Sequence, residues 1–476
     1  MIAFLFAAFA MVFTACDKDD DDNGDSTPTV KNTEYTETEL KNGDGDLIEI
    51  IVTVKDYGKG TGTMTWEKTK TYVLNGLVFV NEGQTLTIEA GTVIKGKSGQ
   101  GENASAFIVA RGGKVMANGT AQEPIIFCAE ADNTRYDHTE GQVVPGDNIP
   151  PTTRGMWGGV IVLGKAGLNS SPGETAIEGI PTTEPRGLYG GDEDTDNSGT
   201  LKYISIRNGG TDIGEGNEIN GLTLGGVGSG TMIEYVEVVG NKDDGVEFFG
   251  GVPQLKHVLV AYCGDDSYDY DEGFRGKGQF WCAIQDPDQG DRIGEHDGGT
   301  DPETAQPYAT PQIYNATYIG RGPTEGKRII TFRDNAGGHY ANSIFVNQEK
   351  GIDIEMTEDA ENTFNRFKTG DLTIKNNIFW NVADGTGESI FKVSFKEGSS
   401  ANPDSASAVD MFAAKFAEWN NMVEDPVVSA ADPVPGGNVG GDLAAVPDAW
   451  FETVNYKGAF KPGENWADWT LTFSSK

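Results

Sequence analysis

Cysteine is nearly absent from this chain. Four in 476 residues are too few for a disulfide framework. Histidine is as rare, and the four at positions 138, 257, 296 and 339 show no metal-ligand spacing, so zinc is not suggested. Basic residues are scarce relative to acidic ones, 36 against 73, which leaves a net charge of −37. A surface of that sign repels phosphate backbones and excludes nucleic acid as an expected partner. It keeps the chain soluble and suits cations or basic partners. Beyond the first residues, no stretch is apolar enough to cross a bilayer.

Glycine is in excess, at 65 of 476 residues, roughly twice its usual share. Glycine at that level, spread among Val, Ile and Thr, means many short strands and many tight turns. A chain of this length could hold two or three domains. A solenoid grows instead by stacking coils, and the composition favours it.

The one long apolar run is at the start. Residues 2–13, IAFLFAAFAMVF, fit the hydrophobic region of a signal peptide and are too short to span a membrane. Phe13-Thr14-Ala15-Cys16 follows and resembles the lipobox of bacterial lipoproteins, although Phe13 stands where Leu is usual. The resemblance implies cleavage before Cys16 and acylation of Cys16, with palmitate-type chains giving stable anchoring. No Lys or Arg precedes the run, which points to a start codon further upstream. The acidic stretch from Asp17 to Asp22 resembles an export signal that sends lipoproteins to the outer face in one large phylum of Gram-negative bacteria. Residues 17–46 have little to bury and read as a disordered tether.

From about residue 70, short apolar runs separated by glycine recur. Examples are 74–80, 86–88, 91–94, 107–110, 114–117 and 124–127. Three short strands and three turns per cycle is how a parallel β-helix coil reads. The clearest period is 22: Ile233–Val238 aligns with Leu255–Val260, and 257–260 with 279–282. Asn342–Asn347 matches Asn376–Asn381, as expected for stacked Asn in β-helix turns. Residues 132–154 and 286–311 read as inserted loops. A propeller would show a period near forty, which is not found. Leu47–Val54 reads as an N-terminal cap strand, Val409–Met422 as a helix with Phe412, Phe416 and Trp419 on one face, and Phe451–Phe473 as a segment closing the C-terminal end.

The segments GGKVMANGTAQEPIIF, GMWGGVIVLGKA, GLYGGDEDTDNSG, LKYISIRNGG, IEYVEVVGNKDDGVEFFGG and VNYKGAF together resemble a family of β-helix surface lipoproteins of Gram-negative bacteria, across roughly residues 70–476. The resemblance implies an all-β fold, a right-handed parallel β-helix at the cell surface. Many such proteins resemble accessory lipoproteins acting beside TonB-dependent outer-membrane transporters. The expected organisation is a signal peptide at 1–15, a lipid-anchored acidic tether at 16–46, an N-terminal cap at 47–70, the β-helix at 71–400 and a C-terminal cap segment at 401–476.

Candidate chemistry lies in the Asp columns. Asp243-Asp244 and Asp265-Asp266 are 22 apart, Asp288 is 22 after Asp266, and Glu247 and Asp269 share the same interval, with Asp271 beside them. On neighbouring coils about 4.8 Å apart, such carboxylates repel unless a cation sits between them or some hold protons. Hard oxygen ligands suit calcium. An Asp that caps a turn by accepting local backbone N–H groups explains the pattern equally well. Asp192, Asp194 and Asp196 alternate in a Gly-rich loop that opens like an EF-hand, but Asn197 and Tyr203 stand where Gly and the bidentate Glu belong. A looser calcium loop is the reading there.

The Asp243, Asp265 and Asp266 arrangement also faintly resembles polygalacturonases, without the expected His-Gly one coil on, where Asp288-Gln289-Gly290 stands. A calcium-dependent polysaccharide lyase would need a base, for which Arg275 and Lys277 are candidates. Phe248, Phe249, Tyr268, Tyr270, Phe274 and Trp281 are candidate ligand platforms, with Tyr268 and Tyr270 on one strand face and Asp269 and Asp271 on the other. Cys128, Cys263 and Cys282 read as buried or free thiols. The sequence therefore points to an outer-membrane binding or accessory protein, lipid-anchored and facing outward, for a polysaccharide, a peptide or a transporter partner. An enzyme and a purely structural or adhesive protein are the alternatives.

Overall fold

A computed structural model describes residues 31–214, 217–299, 302–359, 361–395 and 405–474. The signal-peptide and Cys16 readings lie outside these residues.

The short apolar runs become strands because each coil can bury its alternate side chains only against the coils above and below. Among the described residues, strands join into a ten-stranded and a nineteen-stranded sheet, whose pairings are parallel apart from the first hairpin. The chain forms a parallel β-helix. The 22-residue period holds from Met232–Val239 to Gln254–Ala261 and from Val246–Phe249 to Tyr268–Asp271. It lengthens at the next coil: Val258 pairs with Trp281, one residue later than the repeat predicts. On the other sheet Tyr268 pairs with Gly294 rather than with a residue 22 further on. Inward residues such as Val236, Val258, Trp281, Tyr268 and Phe248 form one continuous core and are almost completely buried. Each such aliphatic or aromatic side chain stabilises the fold by roughly 1.5–3 kcal/mol.

The long strands of the broad sheet bend where one residue takes a left-handed backbone. In successive coils that residue is Tyr203, Tyr235, His257 and Phe280, with φ of 52°, 55°, 56° and 60°. The rings stack at 4.4, 4.3 and 4.8 Å, which offsets a backbone strain of about 1–3 kcal/mol each. In later coils Asn315, Asn342, Asn376 and Asn420 take the same role, at low cost because Asn tolerates this region. The Asn342 and Asn376 units do stack, with Ile344 opposite Ile378.

Both ends depart from expectation. Residues 34–46, read as tether, begin with a strand, Glu34–Lys41, antiparallel to Leu47–Lys55. Its charged and Thr-rich sequence lacks an apolar alternation because it pairs through its backbone and stays exposed. The predicted C-terminal helix is present at Ser405–Glu418, and its Phe412 and Phe416 close the core against Phe379 and Phe391. Phe451–Phe473 does not close the end. It runs back along the broad sheet, where Gly458 N–H donates to Asn342 O and the N–H groups of Leu471 and Thr472 donate to the buried Glu237 carboxylate. This strap covers an apolar outer face formed by residues such as Leu259, Ile284, Ile344 and Ile378.

Candidate acidic centre on the ten-stranded sheet

One file of outward side chains runs along the ten-stranded sheet. The register sets Phe79, Ile108, Ile161, Thr223, Glu247, Asp269, Glu295, Thr331, Asp353 and Lys392 side by side on successive coils. The file is apolar at its start, acidic in its middle and mixed at its end. Its apolar part is covered by residues 164–199, through Leu168, Ile177, Ile180 and Tyr189.

Before each strand of the acidic part lies a turn built as a ladder. Asp244 N–H donates to Asn220 Oδ1 at 3.3 Å, Asp266 N–H to Asp244 Oδ1 at 2.8 Å, and Arg292 N–H to Asp266 Oδ1. The turn-capping reading therefore applies to Asp244 and Asp266. It accounts for only part of Asp244, which also belongs to two acidic groups. Oxygens of Asp243, Asp244 and Asp265 lie within 4.8 Å of one another, and so do oxygens of Asp244, Glu247 and Asp269.

Asp244 and Glu247 are buried at 7% and 8% exposure. Glu247 Oε2 accepts from Asn220 Nδ2. Asp269 Oδ1 is buried and has no hydrogen-bond partner. Among the described residues, no Lys or Arg forms an ion pair with Asp243, Asp244, Glu247, Asp265 or Asp269. Burial first, then the neighbouring carboxylates, pushes Asp244, Glu247 and Asp269 well above the usual carboxylate range. The same causes push Asp243 up to about 7.

One coil on, the surroundings reverse. Arg333 pairs with Glu295 at 2.7 Å and Asp297 at 2.6 Å, while Arg292 pairs with Asp291 at 2.9 Å and Glu295 at 3.1 Å. Arg328 pairs with Asp353 at 2.7 Å. Arg292, Lys327, Arg328, Arg333 and Lys350 line a single open cavity there, together with Asp291, Thr331, Asp353, Glu355 and Ser394.

Several residues singled out in the sequence lie elsewhere. Asp192, Asp194 and Asp196 form no common site: Asp192 is exposed, Asp196 accepts from Lys165 N–H, and Asp194 accepts from Gly167 N–H and from the Arg275 guanidinium at 2.8 and 3.2 Å. Arg275 is thereby a tie on the 164–199 loop and is not free to meet a ligand. Lys277 lies on the other sheet, paired with Asp448 just before the strap. Tyr268 and Tyr270 are core residues at 1% exposure, with their hydroxyls on Val258 O and Gly337 O. Phe248, Phe274 and Trp281 are buried beside them. Asp271 stands in the neighbouring file, outside both acidic groups. Asp288 does not continue the Asp266 ladder, because the coil is longer and Arg292 takes that rung. Asp291 instead approaches Asp265 and Asp266. Gly294–Asp297, read as part of an inserted loop, is a strand of the sheet. It lacked a strand signature because its buried residue is His296, held neutral by burial that lowers its pKa to about 3. Cys128, Cys263 and Cys282 are buried free thiols.

A model of the pectate-lyase-like β-helix domain matches residues 58–422. The chain belongs to that family. No curated protein and no solved structure matches it.

A divalent cation fits the centre on two counts. The donors of Asp244, Glu247 and Asp269 are all carboxylate oxygens, and one of them, Asp269 Oδ1, is buried without a partner. A polygalacturonase arrangement fits less well. Inverting catalysis separates its carboxyl groups by roughly 6.5–9.5 Å to admit water, whereas Asp243 and Asp265 approach within 4.8 Å.

Proposed function

We propose that this β-helix binds an acidic polysaccharide on the outer face of its ten-stranded sheet, with calcium held by Asp244, Glu247 and Asp269. The observation that carries the reading is the adjacency of two opposite sites: an acidic centre that no cation of the described residues pairs with, and a cavity lined by five cations one coil further on. In a chain of net charge −37, a cavity lined by five basic residues against three acidic ones, Asp291, Asp353 and Glu355, is a local positive exception that suits an anionic ligand. Calcium at the centre would add positive charge beside it. The lipobox-like segment at Cys16 and the acidic run behind it support display on the outer membrane. The motifs shared with β-helix surface lipoproteins support a role beside a TonB-dependent transporter.

The test is a binding titration of the full chain with polygalacturonate, an acidic peptide and a neutral glucan, each in calcium and in chelator. Binding of polygalacturonate alone, lost in chelator, is the expected result. Preference for the peptide would replace the ligand class. No binding of any would leave a structural or adhesive role.

A calcium-dependent lyase is a second reading, favoured by one observation: among the described residues, Lys350 is the cation lining the cavity that has no carboxylate partner. In that chemistry Lys350 would take the proton α to a uronate carboxylate. The β C–O bond would break with its electron pair going to the leaving oxygen, and a C=C bond would form. Appearance of unsaturated ends, abolished in Lys350→Ala, would establish it.

A further inference from the structure

The file that holds the acidic centre is closed on one side and open on the other. Toward the N-terminus, residues 164–199 lie on the sheet as a wall. Tyr189 sits directly over the strand Leu222–Gly225, and a Cβ on Gly225 would come within 2.9 Å of its ring. Leu168 crowds the next coil in the same way, 2.6 Å from where a Cβ on Gly250 would stand. The wall thus closes the file on the N-terminal side of Glu247, and its Asn169 runs on beside the strand ends to Gly298, on the coil of Glu295.

It is fastened on every side. Arg186 lies over the Phe79 ring at 3.8 Å and bonds Asp56 at 2.6 Å, and Arg111 donates to Gly190 O at 2.9 Å. At the edge facing the centre, Tyr189 OH donates to Glu272 at 2.6 Å, Asn169 Nδ2 donates to Gly298 O at 2.7 Å, and Arg275 grips Asp194. Toward the C-terminus, none of the described residues forms such a cover over the open cavity of Arg292, Arg328, Arg333 and Lys350.

We infer that the wall is an end-stop: this protein binds the terminus of an anionic chain, with its last residue at the acidic centre and its body running along the cationic cavity toward Ser394. The inference rests on the acidic-polysaccharide reading and goes beyond it, because a groove open at both ends would accept internal segments. Its residues are Asn169, Tyr189, Asp194 and Arg275, which position the wall and touch no ligand.

The test counts protein molecules bound per chain by analytical ultracentrifugation, using the full chain and size-fractionated galacturonates from short oligomers to long polymer, in calcium below the gelling range. End recognition predicts one protein per chain at every length. It also predicts that the D194A/R275A variant, whose wall is untied, binds long polymer in numbers that grow with length. Length-dependent loading of the unaltered protein would overturn the end-stop while leaving the polysaccharide reading intact. Absence of binding at every length would overturn both. Should the variant fail to fold by circular dichroism, the length series of the unaltered protein still decides.

Discussion

Glu247 and Glu295 stand two coils apart in one file and face the same way, yet their surroundings are opposite. Around Glu295 the chain supplies its own cations, Arg292 and Arg333. Around Glu247 the described residues supply the Asn220 amide but no cation, and Asp244 and Asp269 lie within 4.8 Å. Two unit charges at that distance repel by roughly 3.5 kcal/mol at an effective dielectric near 20. A fold that tolerates such repulsion in one half and cancels it in the next has left room for a charge from outside. The arginine half is a fixed structural network. The bare half is a site that a proton or a metal ion must complete.

The comparison breaks most sharply if its cationic side is removed. Arg292→Met leaves Asp266, Asp291 and Glu295 short of a partner, and stability is expected to fall by about 2–3 kcal/mol at neutral pH. Calcium should restore part of that loss, because the second half would then resemble the first. Thermal unfolding with and without calcium measures both.

The next effect is calcium on the unaltered protein. An ion at a hundred times its Kd stabilises by about 2.7 kcal/mol. The gain should appear at pH 8 and fade by pH 4, where protons occupy the same oxygens. Without calcium, the sign follows from the raised pKa values. Between the unfolded carboxylate range near pH 4 and the folded value of about 7 for Asp243, the folded state binds more protons than the unfolded one. Stability therefore falls as pH rises through that window. An increase over the same range would contradict the bare-half account.

Glu247→Gln with Asp269→Asn removes two of the repelling charges. This variant should be more stable than the parent in chelator at pH 8, by about 1 kcal/mol, and should lose its calcium response. The smallest effect belongs to Asp192→Asn. That residue is exposed and outside every acidic group, so stability should move by less than about 0.5 kcal/mol and calcium binding should not change.

The fold was legible because coil stacking demands the same apolar pattern at each turn. The 22-residue repeat aligned Glu247 with Asp269 correctly, and Asp244 with Asp266. It failed where a coil changes length. One added residue before Trp281, and a longer excursion before Gly294, shift every later partner, so the repeat points to Asp288 where Asp291 and Arg292 belong. The alternation at 268–271 separated the Tyr from the Asp face but did not say which face was inward, and two tyrosines with buried hydroxyls resemble two exposed ones in sequence. Arg275 was legible as functional only in the wrong sense, since its partner Asp194 lies 81 residues away on an inserted loop. The aromatic left-handed column from Tyr203 to Phe280 carries no sequence signal, because nothing but stacking makes those residues acceptable there.

Calorimetric titration of calcium into the full chain at pH 7.5, beside the E247Q/D269N variant, tests the central claim most directly. Saturable binding to the parent that is lost in the variant, with both folded, is the predicted result. Equal binding by the two, or none by the parent, would contradict it and make the acidic centre a set of buried protonated carboxyls.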